Sequence, residues 1–278
     1  MMTELQSKLL DMLKWFHSFC VEHDLRYYAL GGTMLGAVRH KGFIPWDDDI
    51  DVGLPRADYN KFIELSDCIP APYVLETPQS PAKEFVYAYS KLYNTDTTFI
   101  EKGKKNIKRG IFLDVFPIDG LGNDEAEALA QFNKTARLVK KLAVRVSPIR
   151  KGRGFVKNCA VALSRCVPQF IINDKKLAQK LDRVAAQKDY DQNAFVGNLV
   201  CNYKPHNILK REYFGTPTLY VFEDTEVYGA QDYEGYLSQV FGDWRKLPPE
   251  DQQVSLHLSA KIDLNKSYLD TGESRCKR

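Results

Sequence analysis

Three aspartates at spacing two give this chain its clearest chemical signal. Asp47, Asp49 and Asp51 lie within residues 44–54, where they alternate with apolar residues as in a β-strand. Spacing two along a strand puts side chains on one face, so Asp49 and Asp51 would project roughly 7 Å apart. Such a pair repels itself unless a cation lies between, and hard oxygen ligands suit magnesium. The segment predicts a Mg²⁺ site, with Mn²⁺ as the alternative ion.

Other interpretations of the acidic run are a solvated loop and a calcium loop. A solvated loop is the ordinary interpretation, although here the aspartates adjoin a hydrophobic strand. An EF-hand loop that begins at Asp47 needs glycine at position 52 and glutamate at position 58, where the chain has Val52 and Asp58. This excludes the EF-hand. An aspartate nucleophile for covalent catalysis stays open.

A glycine turn precedes the aspartates. A short apolar strand pattern over residues 26–30 runs into Gly31, Gly32 and Thr33, and a helical pattern follows over residues 34–39. Backbone N–H groups at a helix N-terminus bind anions, and glycine allows close approach. The turn is therefore a candidate phosphate site, with an ordinary tight turn as the alternative.

Three cations could neutralise phosphate charge near this turn. Arg39 and Lys41 follow it closely, and Lys91 lies in a later apolar segment. Ordinary surface ion pairs are an equally common role for Arg39 and Lys41.

Asp114 lies in the middle of a strongly apolar strand pattern, residues 110–117. A buried carboxylate is costly unless it is hydrogen-bonded or coordinates a metal. A structural hydrogen bond explains Asp114 by itself, whereas together with Asp49 and Asp51 it would complete a site of three carboxylates.

The elements that must position these residues follow from periodicity and from turn residues. Apolar spacing predicts helices over residues 5–22, 34–39, 58–65, 125–146, 174–189 and 233–242. Strands are predicted over residues 26–30, 49–54, 85–92 and 110–117, with a β-rich stretch at 213–226. Four prolines make residues 70–81 a loop or an edge segment, and residues 101–108 read as a charged connection.

Composition restricts the class of protein. The 278 residues suffice for one large domain or two small ones, and a net charge of +3 with no basic-aromatic pattern gives no indication of nucleic-acid binding. Six cysteines lie far apart, without zinc spacing, as expected of reduced thiols. We find no signal-peptide pattern and no uninterrupted apolar span, so we expect a cytoplasmic protein.

A basic segment interrupts this ordinary composition. No acidic residue occurs between Ala128 and Asn173, whereas lysine and arginine recur throughout that interval. Such a segment favours an anionic partner, and we expect peripheral contact with an anionic inner membrane face through residues 134–157. A solvated insertion whose charges keep it soluble is the alternative.

Several of these motifs together resemble one family. Residues 30–53 closely resemble the opening signature of the LicD family of phosphotransferases. The resemblance continues over residues 113–120, 210–215, 236–237, 242–244 and 247–249, and at His257. These segments span most of the chain and leave the basic segment and the extreme termini outside.

The resemblance implies a fold and a reaction. The implied fold is α+β and nucleotidyltransferase-like, of the DNA polymerase β type, with a mixed sheet flanked by helices. We expect a single domain over residues 1–278 with a basic helical insertion at 125–173. The implied reaction moves a phosphorylated small alcohol, with phosphocholine expected, from a CDP-activated donor such as CDP-choline to a glycan or lipid-linked glycan, releasing CMP. Bacterial acceptors in the family are teichoic acid or lipopolysaccharide, and the fukutin-related branch transfers ribitol phosphate.

On this hypothesis Asp49, Asp51 and Asp114 are catalytic and hold the metal, Asp47 is a further ligand or orients the others, and Asp48 points to the opposite face. The donor diphosphate would be bound by Gly31, Gly32, Thr33, Arg39, Lys41 and Lys91.

One departure and two alternatives accompany the hypothesis. The family often has Tyr-x-Pro-Trp where this chain has His206 after Tyr203-Lys204-Pro205, so His206 either replaces a stacking surface or lies at the protein surface. His257 is implied as a late contributor by resemblance alone. The carboxylates would equally serve a nucleotidyltransferase acting on a small molecule, or a structural metal in a non-enzymatic, cation-dependent membrane-binding module.

Overall fold

The computed structural model describes residues 2–101, 106–149, 154–201, 204–254 and 259–270. The described helices are α1 (Glu4–Glu22), α2 (Gly31–Arg39), α3 (Arg56–Glu64), α4 (Glu125–Val146), α5 (Phe155–Cys166), α6 (Asp174–Ala185), α7 (Arg211–Phe214) and α8 (Tyr233–Phe241). The described strands are β1 (Tyr28–Ala29), β2 (Asp51–Pro55), β3 (Tyr73–Glu76), β4 (Ser90–Asn94), β5 (Thr98–Glu101), β6 (Ile107–Arg109), β7 (Phe112–Gly122), β8 (Phe195–Gly197), β9 (Leu209–Lys210), β10 (Thr218–Phe222), β11 (Thr225–Gly229) and β12 (Ser259–Asp263). Short 3-10 turns cover Leu65–Cys68, Pro205–Asn207 and Glu250–Gln252.

A seven-stranded mixed sheet forms the centre of the fold. Its main path is β1-β2-β7-β4-β3, and β8 and β9 extend it from β7. β2 and β7 are parallel, whereas β1 with β2 and β4 with β7 are antiparallel. With helices packed on this sheet, the predicted α+β class is confirmed. The assignment to the DNA polymerase β type stays a prediction.

Strand β7 is the buried axis of the sheet. All eleven of its residues are buried, and helices α1, α3 and α4 pack against it. A strand covered in this way reads as a continuous apolar run, which is the pattern that identified it. The strand is longer than predicted, because it continues past Pro117 to pair with β8.

Helix α1 follows its amphipathic pattern. Thr3 and Gln6 form a capping box at its start, which satisfies two N–H groups that would otherwise lack partners. The buried side chains that recur at helical spacing are Leu9, Met12, Leu13, Phe16 and Cys20. The predicted helix up to Glu22 is confirmed.

Three further predicted boundaries, all near the aspartates or Lys91, were wrong. α2 begins at Gly31, so the two glycines belong to its first turn rather than to a turn before it. β2 begins at Asp51, so Asp49 lies in the irregular segment before the strand. The strand predicted over residues 85–92 is β4, which begins at Ser90 because its pairing with β7 starts there.

The segments predicted as irregular contain short strands. Residues 70–81 include β3, which lies at the end of the sheet path, as an edge segment should. The charged connection is flanked by β5 and β6, which pair with each other, and residues 102–105 lie outside the described part of the chain.

The basic segment has two different parts. Ala128, Phe132 and Val139 of α4 are buried, and α4 packs against β7 and α6. In α5, by contrast, Val161 alone is buried. The first part of the proposed insertion therefore belongs to the packed core. None of the described helices is long and apolar enough to cross a membrane.

Candidate active site

Asp51 and Asp114 lie opposite each other in the centre of the sheet. They are Cα partners in the parallel pairing of β2 with β7, and neighbouring strands in a sheet lie about 4.8 Å apart. The N–H of Asp114 also donates to the carbonyl oxygen of Ile50 at 3.1 Å. The sheet therefore fixes the spacing of these two carboxylates.

The environment of Asp51 disfavours its charge. Burial raises the pKa of Asp51 well above its usual value, and the negative charges of Asp49, Asp114 and Asp47 raise it further. Lys91 acts in the opposite direction. Four of the aspartates singled out in the sequence therefore form one electrostatic cluster.

Lys91 is the cationic partner of Asp114. Its Nζ lies 2.9 Å from Asp114 Oδ1, and that oxygen has otherwise no hydrogen-bond partner among the described residues. The Lys91 side chain is buried, with Nζ 3.4 Å from the ring centroid of Phe112 and 4.6 Å from that of Tyr87. Burial raises the pKa of Asp114, and Lys91 opposes this shift. Lys91 therefore neutralises Asp114 from inside the protein.

Glu101 extends this cluster. Its carboxylate accepts a hydrogen bond of 2.6 Å from the Tyr87 hydroxyl and lies 3.9 Å from Lys91 Nζ. The charge of Glu101 also raises the pKa of Asp114. One buried ammonium thus serves two carboxylates, and the cluster as a whole remains acidic.

Asp47 is held from two sides. Its backbone carbonyl oxygen accepts a hydrogen bond of 2.8 Å from Gln6 Nε2 at the start of α1. Its side chain lies against Gly32, where a Cβ atom would come within 2.4 Å of Asp47 Oδ2. Glycine at position 32 therefore makes room for the carboxylate. Asp48 and Asp49 both line a small recess beside Leu5, and the expectation that Asp48 faces away from the metal stays a prediction.

The first turn of α2 packs against the aspartates. The Thr33 hydroxyl oxygen accepts a hydrogen bond of 2.9 Å from the N–H of Asp51, and the N–H of Gly31 donates to the hydroxyl oxygen of Tyr236 at 2.9 Å. Gly31 has φ +49°, in the left-handed region that favours glycine. The positive end of the α2 dipole is thereby directed toward the acidic cluster.

Arg39 and Lys41 lie at the other end of α2. At 1.5 Å per residue Arg39 is about 10 Å along the helix axis from Gly32, and Lys41 lies beyond the end of α2. Arg39 Nη1 donates to the carbonyl oxygen of Trp244 at 2.7 Å, and Lys41 is exposed. The structure does not place them against the carboxylates, and their role as phosphate ligands stays a prediction.

Of the two histidines predicted from the sequence, only His206 lies among the described residues. His206 lies in the 3-10 turn Pro205–Asn207 and is half-buried. Tyr203 and His257 lie outside the described residues, so their contribution to the site stays a prediction.

Sequence reasoning missed residues that support the site. Gln6, Tyr236 and Glu101 each contact it from an element distant in the chain. No local pattern marks them, apart from the capping-box spacing at Gln6 and the place of Tyr236 in one of the family motifs.

Beneath the site, Asp119 belongs to a buried ion network. Arg56 donates to Asp119 through Nε at 2.6 Å and through Nη2 at 2.8 Å, and to Asp182 through Nη1 at 2.8 Å. These three side chains join α3, β7 and α6. Asp119 is part of the motif at residues 113–120, and its contacts give it a structural role.

The donor set is compatible with Mg²⁺. Among the described residues, no group of three His, Cys, Asp or Glu side chains is arranged to enclose a metal ion. Mg²⁺ is usually bound through one or two carboxylates, with substrate phosphates and water as the remaining ligands. Asp51 and Asp114 provide two adjacent carboxylates in an acidic site. Burial and the charges of neighbouring carboxylates raise the pKa of both, and a bound cation would relieve the repulsion.

Sequence comparison finds a matching family domain and several similar proteins. Residues 24–139, which contain all four aspartates, match the LicD/FKTN/FKRP nucleotidyltransferase domain. The chain is 30% identical to lipopolysaccharide cholinephosphotransferase LicD of Haemophilus influenzae over 261 residues, covering 92% of this chain and 95% of that protein. It is also 44% identical to the mouse and human ribitol 5-phosphate transferase FKRP over 41 residues, or 15% of this chain and 8% of theirs.

Proposed function

Because this chain belongs to the LicD family, we propose that it is a phosphotransferase that moves a phosphorylated small alcohol from a CDP-activated donor to a cell-surface glycan. Phosphocholine is the proposed group, since the relative from Haemophilus influenzae is named a lipopolysaccharide cholinephosphotransferase. The proposed acceptor is lipopolysaccharide, teichoic acid or a lipid-linked precursor of either. CMP is the second product, and the proposed location is cytoplasmic.

The observation that carries this proposal is the pairing of Asp51 with Asp114 beside the first turn of α2. A diphosphate donor brings negative charge, which a helix N-terminus stabilises and which bare carboxylates repel. A site with both features suits a phosphate-bearing substrate that arrives with a divalent cation.

Mg²⁺ is the proposed cofactor, with Mn²⁺ as the alternative. Asp49, Asp51 and Asp114 are the proposed ligands, and Asp47, fixed by Gln6 and Gly32, orients them. Bound there, the ion would neutralise the diphosphate oxygens as negative charge develops on them.

The residues of the chain have distinct roles in the proposed transfer. An oxygen of the acceptor hydroxyl bonds to the phosphorus that carries the alcohol, while the bond from this phosphorus to the CMP oxygen breaks in line. The hydroxyl proton passes to Asp114, the carboxylate opposite Asp51 in the centre of the site. Lys91 keeps Asp114 ionised before the transfer.

A nucleotidyltransferase acting on a small molecule is the alternative reaction. It would use the same carboxylates but attack the phosphorus attached to the nucleoside, releasing diphosphate or an alcohol phosphate instead of CMP. The identity of the released product therefore distinguishes the two reactions.

The test is incubation with CDP-choline, CDP-ribitol or CDP-glycerol and Mg²⁺, with and without lipopolysaccharide or a lipid-linked glycan, followed by measurement of CMP. We expect acceptor-dependent CMP from one donor, and a loss of about 100-fold or more in Asp51→Asn. Asp224→Asn is the matched control, because Asp224 is exposed and pairs with Lys14. Absence of CMP from every combination of donor and acceptor would contradict the proposal.

A further inference from the structure

The apolar side of helix α5 is exposed. Its large exposed hydrophobic side chains are Phe155, Val156 and Leu163, with 83%, 79% and 70% of their surface accessible. An α-helix turns about 100° per residue, so positions 155, 156, 159, 160 and 163 lie on one side of α5. All five are apolar or cysteine. An amphipathic helix of a globular domain normally buries this side, so the orientation of α5 requires a covering surface.

The segment after α5 also exposes large hydrophobic side chains. Phe170 and Ile171 are 88% and 63% exposed. They follow α5 closely, in the connection to α6. We name the exposed side chains of Phe155, Val156, Leu163, Phe170 and Ile171 the apolar patch. Five large hydrophobic side chains in a stretch of this length exceed the scattered exposure that is normal on a soluble surface.

Arg145 holds this patch in place. Its buried guanidinium donates to the carbonyl oxygens of Ser164 at 2.8 Å and of Ile172 at 3.0 Å. It also pairs with the buried carboxylate of Asp174. One side chain of α4 therefore ties the end of α5 to the start of α6. The apolar patch is a built feature of the fold, anchored to the core helix α4.

The part of the sequence that carries the apolar patch is basic. No acidic residue occurs between Ala128 and Asn173. Lys141 and Lys157 within this interval are exposed. Lys141 also borders a cleft of about 360 Å³ between α4 and α5, whose lining includes Val144 and Val167. A surface with exposed aromatic and aliphatic side chains, surrounded by lysine, fits an anionic lipid bilayer.

We propose that the apolar patch inserts into the interface of an anionic membrane, with the surrounding lysines against the lipid phosphates. This surface differs from the basic segment 134–157 expected from the sequence, because much of α4 is buried and the apolar contacts extend to Ile171. A second copy of the chain is the less favourable occupant, since a symmetric interface would place the two basic surroundings against each other. The proposal does not depend on the transferase reaction.

The test is co-sedimentation of the full chain with vesicles of phosphatidylcholine alone and of phosphatidylcholine mixed with phosphatidylglycerol. We expect binding to the mixed vesicles, weakened by high salt because the lysine contribution is screened. Phe170→Ser with Ile171→Ser should weaken this binding by about tenfold or more, because the apolar contribution scales with buried area.

A matched control is Leu219→Ser with Val221→Ser, which removes two exposed apolar side chains, 46% and 50% accessible, from β10. This variant should bind the mixed vesicles as the unchanged protein does. A deletion of residues 134–157 is unsuitable, because it would remove the buried residues Ala136, Val139 and Leu142 of α4. Thermal melting of each variant shows that it is folded.

Three results would overturn the proposal. One is equal loss of binding in the patch variant and in the control. Another is equal binding to neutral and to anionic vesicles. The third is failure of the unchanged protein to bind either vesicle. A concentration-dependent dimer that Phe170→Ser with Ile171→Ser converts to a monomer would then identify the patch as a protein interface.

Discussion

Asp51 and Asp114 are opposite residues of two parallel strands, and the charge of Asp114 adds to burial in raising the pKa of Asp51. The sheet holds them there through backbone hydrogen bonds, independently of any ion. This arrangement opposes folding stability, as is common for clustered acids in functional sites. The effect of the acidic cluster on stability can therefore be measured without knowing the substrate.

Asp51→Asn should raise the free energy of unfolding at neutral pH by about 1 kcal/mol in the absence of divalent metal. The pKa of Asp51 is raised in the folded state, so the folded protein binds a proton more tightly than the unfolded chain does. Stability of the unchanged protein therefore falls as pH rises from the normal carboxyl range through the raised pKa. The advantage of Asp51→Asn should shrink as the pH falls toward about 4. Urea unfolding across this pH range measures the difference.

Asp224→Asn is the control, because the pKa of Asp224 is shifted in the opposite direction to that of Asp51. Lys14 lowers the pKa of Asp224, so removal of this carboxylate should not stabilise the protein at neutral pH. Mg²⁺ should raise the melting temperature of the unchanged protein more than that of Asp51→Asn. A large loss of stability in metal-free Asp51→Asn would instead indicate that Asp51 has a structural role.

Lys91→Met should lower the free energy of unfolding by about 3 kcal/mol at neutral pH. The substitution leaves Asp114 buried without its cation, which costs more than the loss of a surface pair. Lys91→Met with Asp114→Asn should recover more than half of this loss, since the unpaired charge is then absent. A double-mutant cycle in urea measures the coupling, and additive losses would show that the two side chains do not depend on each other.

Gly32→Ala should reduce turnover by about tenfold or more, with a much smaller change in substrate affinity. The new Cβ would lie 2.4 Å from Asp47 Oδ2, so the carboxylate must move. If displacement of Asp47 is the cause, Gly32→Ala should add little to the effect of Asp47→Ala in the same assay. Independent, multiplicative losses would place the effect of Gly32 elsewhere.

Gln6→Ala should affect both stability and activity, although Gln6 lies far from the aspartates in sequence. The change removes hydrogen bonds to the N–H of Thr3 at 2.9 Å and to the carbonyl oxygen of Asp47 at 2.8 Å, at a cost of about 1–2 kcal/mol. Thr3→Ala is the control, because it weakens the same helix cap by about 1 kcal/mol but keeps the contact with Asp47. Only Gln6→Ala should lower turnover, and equal turnover in the two variants would contradict a positioning role.

The sequence identified the aspartates of the acidic cluster but not the position of Lys91 beside Asp114. Spacing two and the flanking apolar residues identified Asp47, Asp49 and Asp51, and the apolar strand pattern singled out Asp114. The sequence could not place Lys91 beside Asp114, because alternation assigns a strand's faces but not its neighbour in the sheet. That neighbour depends on pairing between segments far apart in the chain, here β4 with β7.

The helices show the same division. Periodicity alone located α1, α3, α4, α6 and α8 closely. The spacing of apolar residues over adjacent turns is enough to indicate the buried side of such a helix. The motifs likewise sufficed to recognise the LicD family. Which side of α5 is buried was decided only in the tertiary structure. Its apolar side faces outward, whereas the Ser164 hydroxyl on another side donates to the carbonyl oxygen of Val144 in α4. Such a contact between distant segments leaves no periodic signal in the sequence.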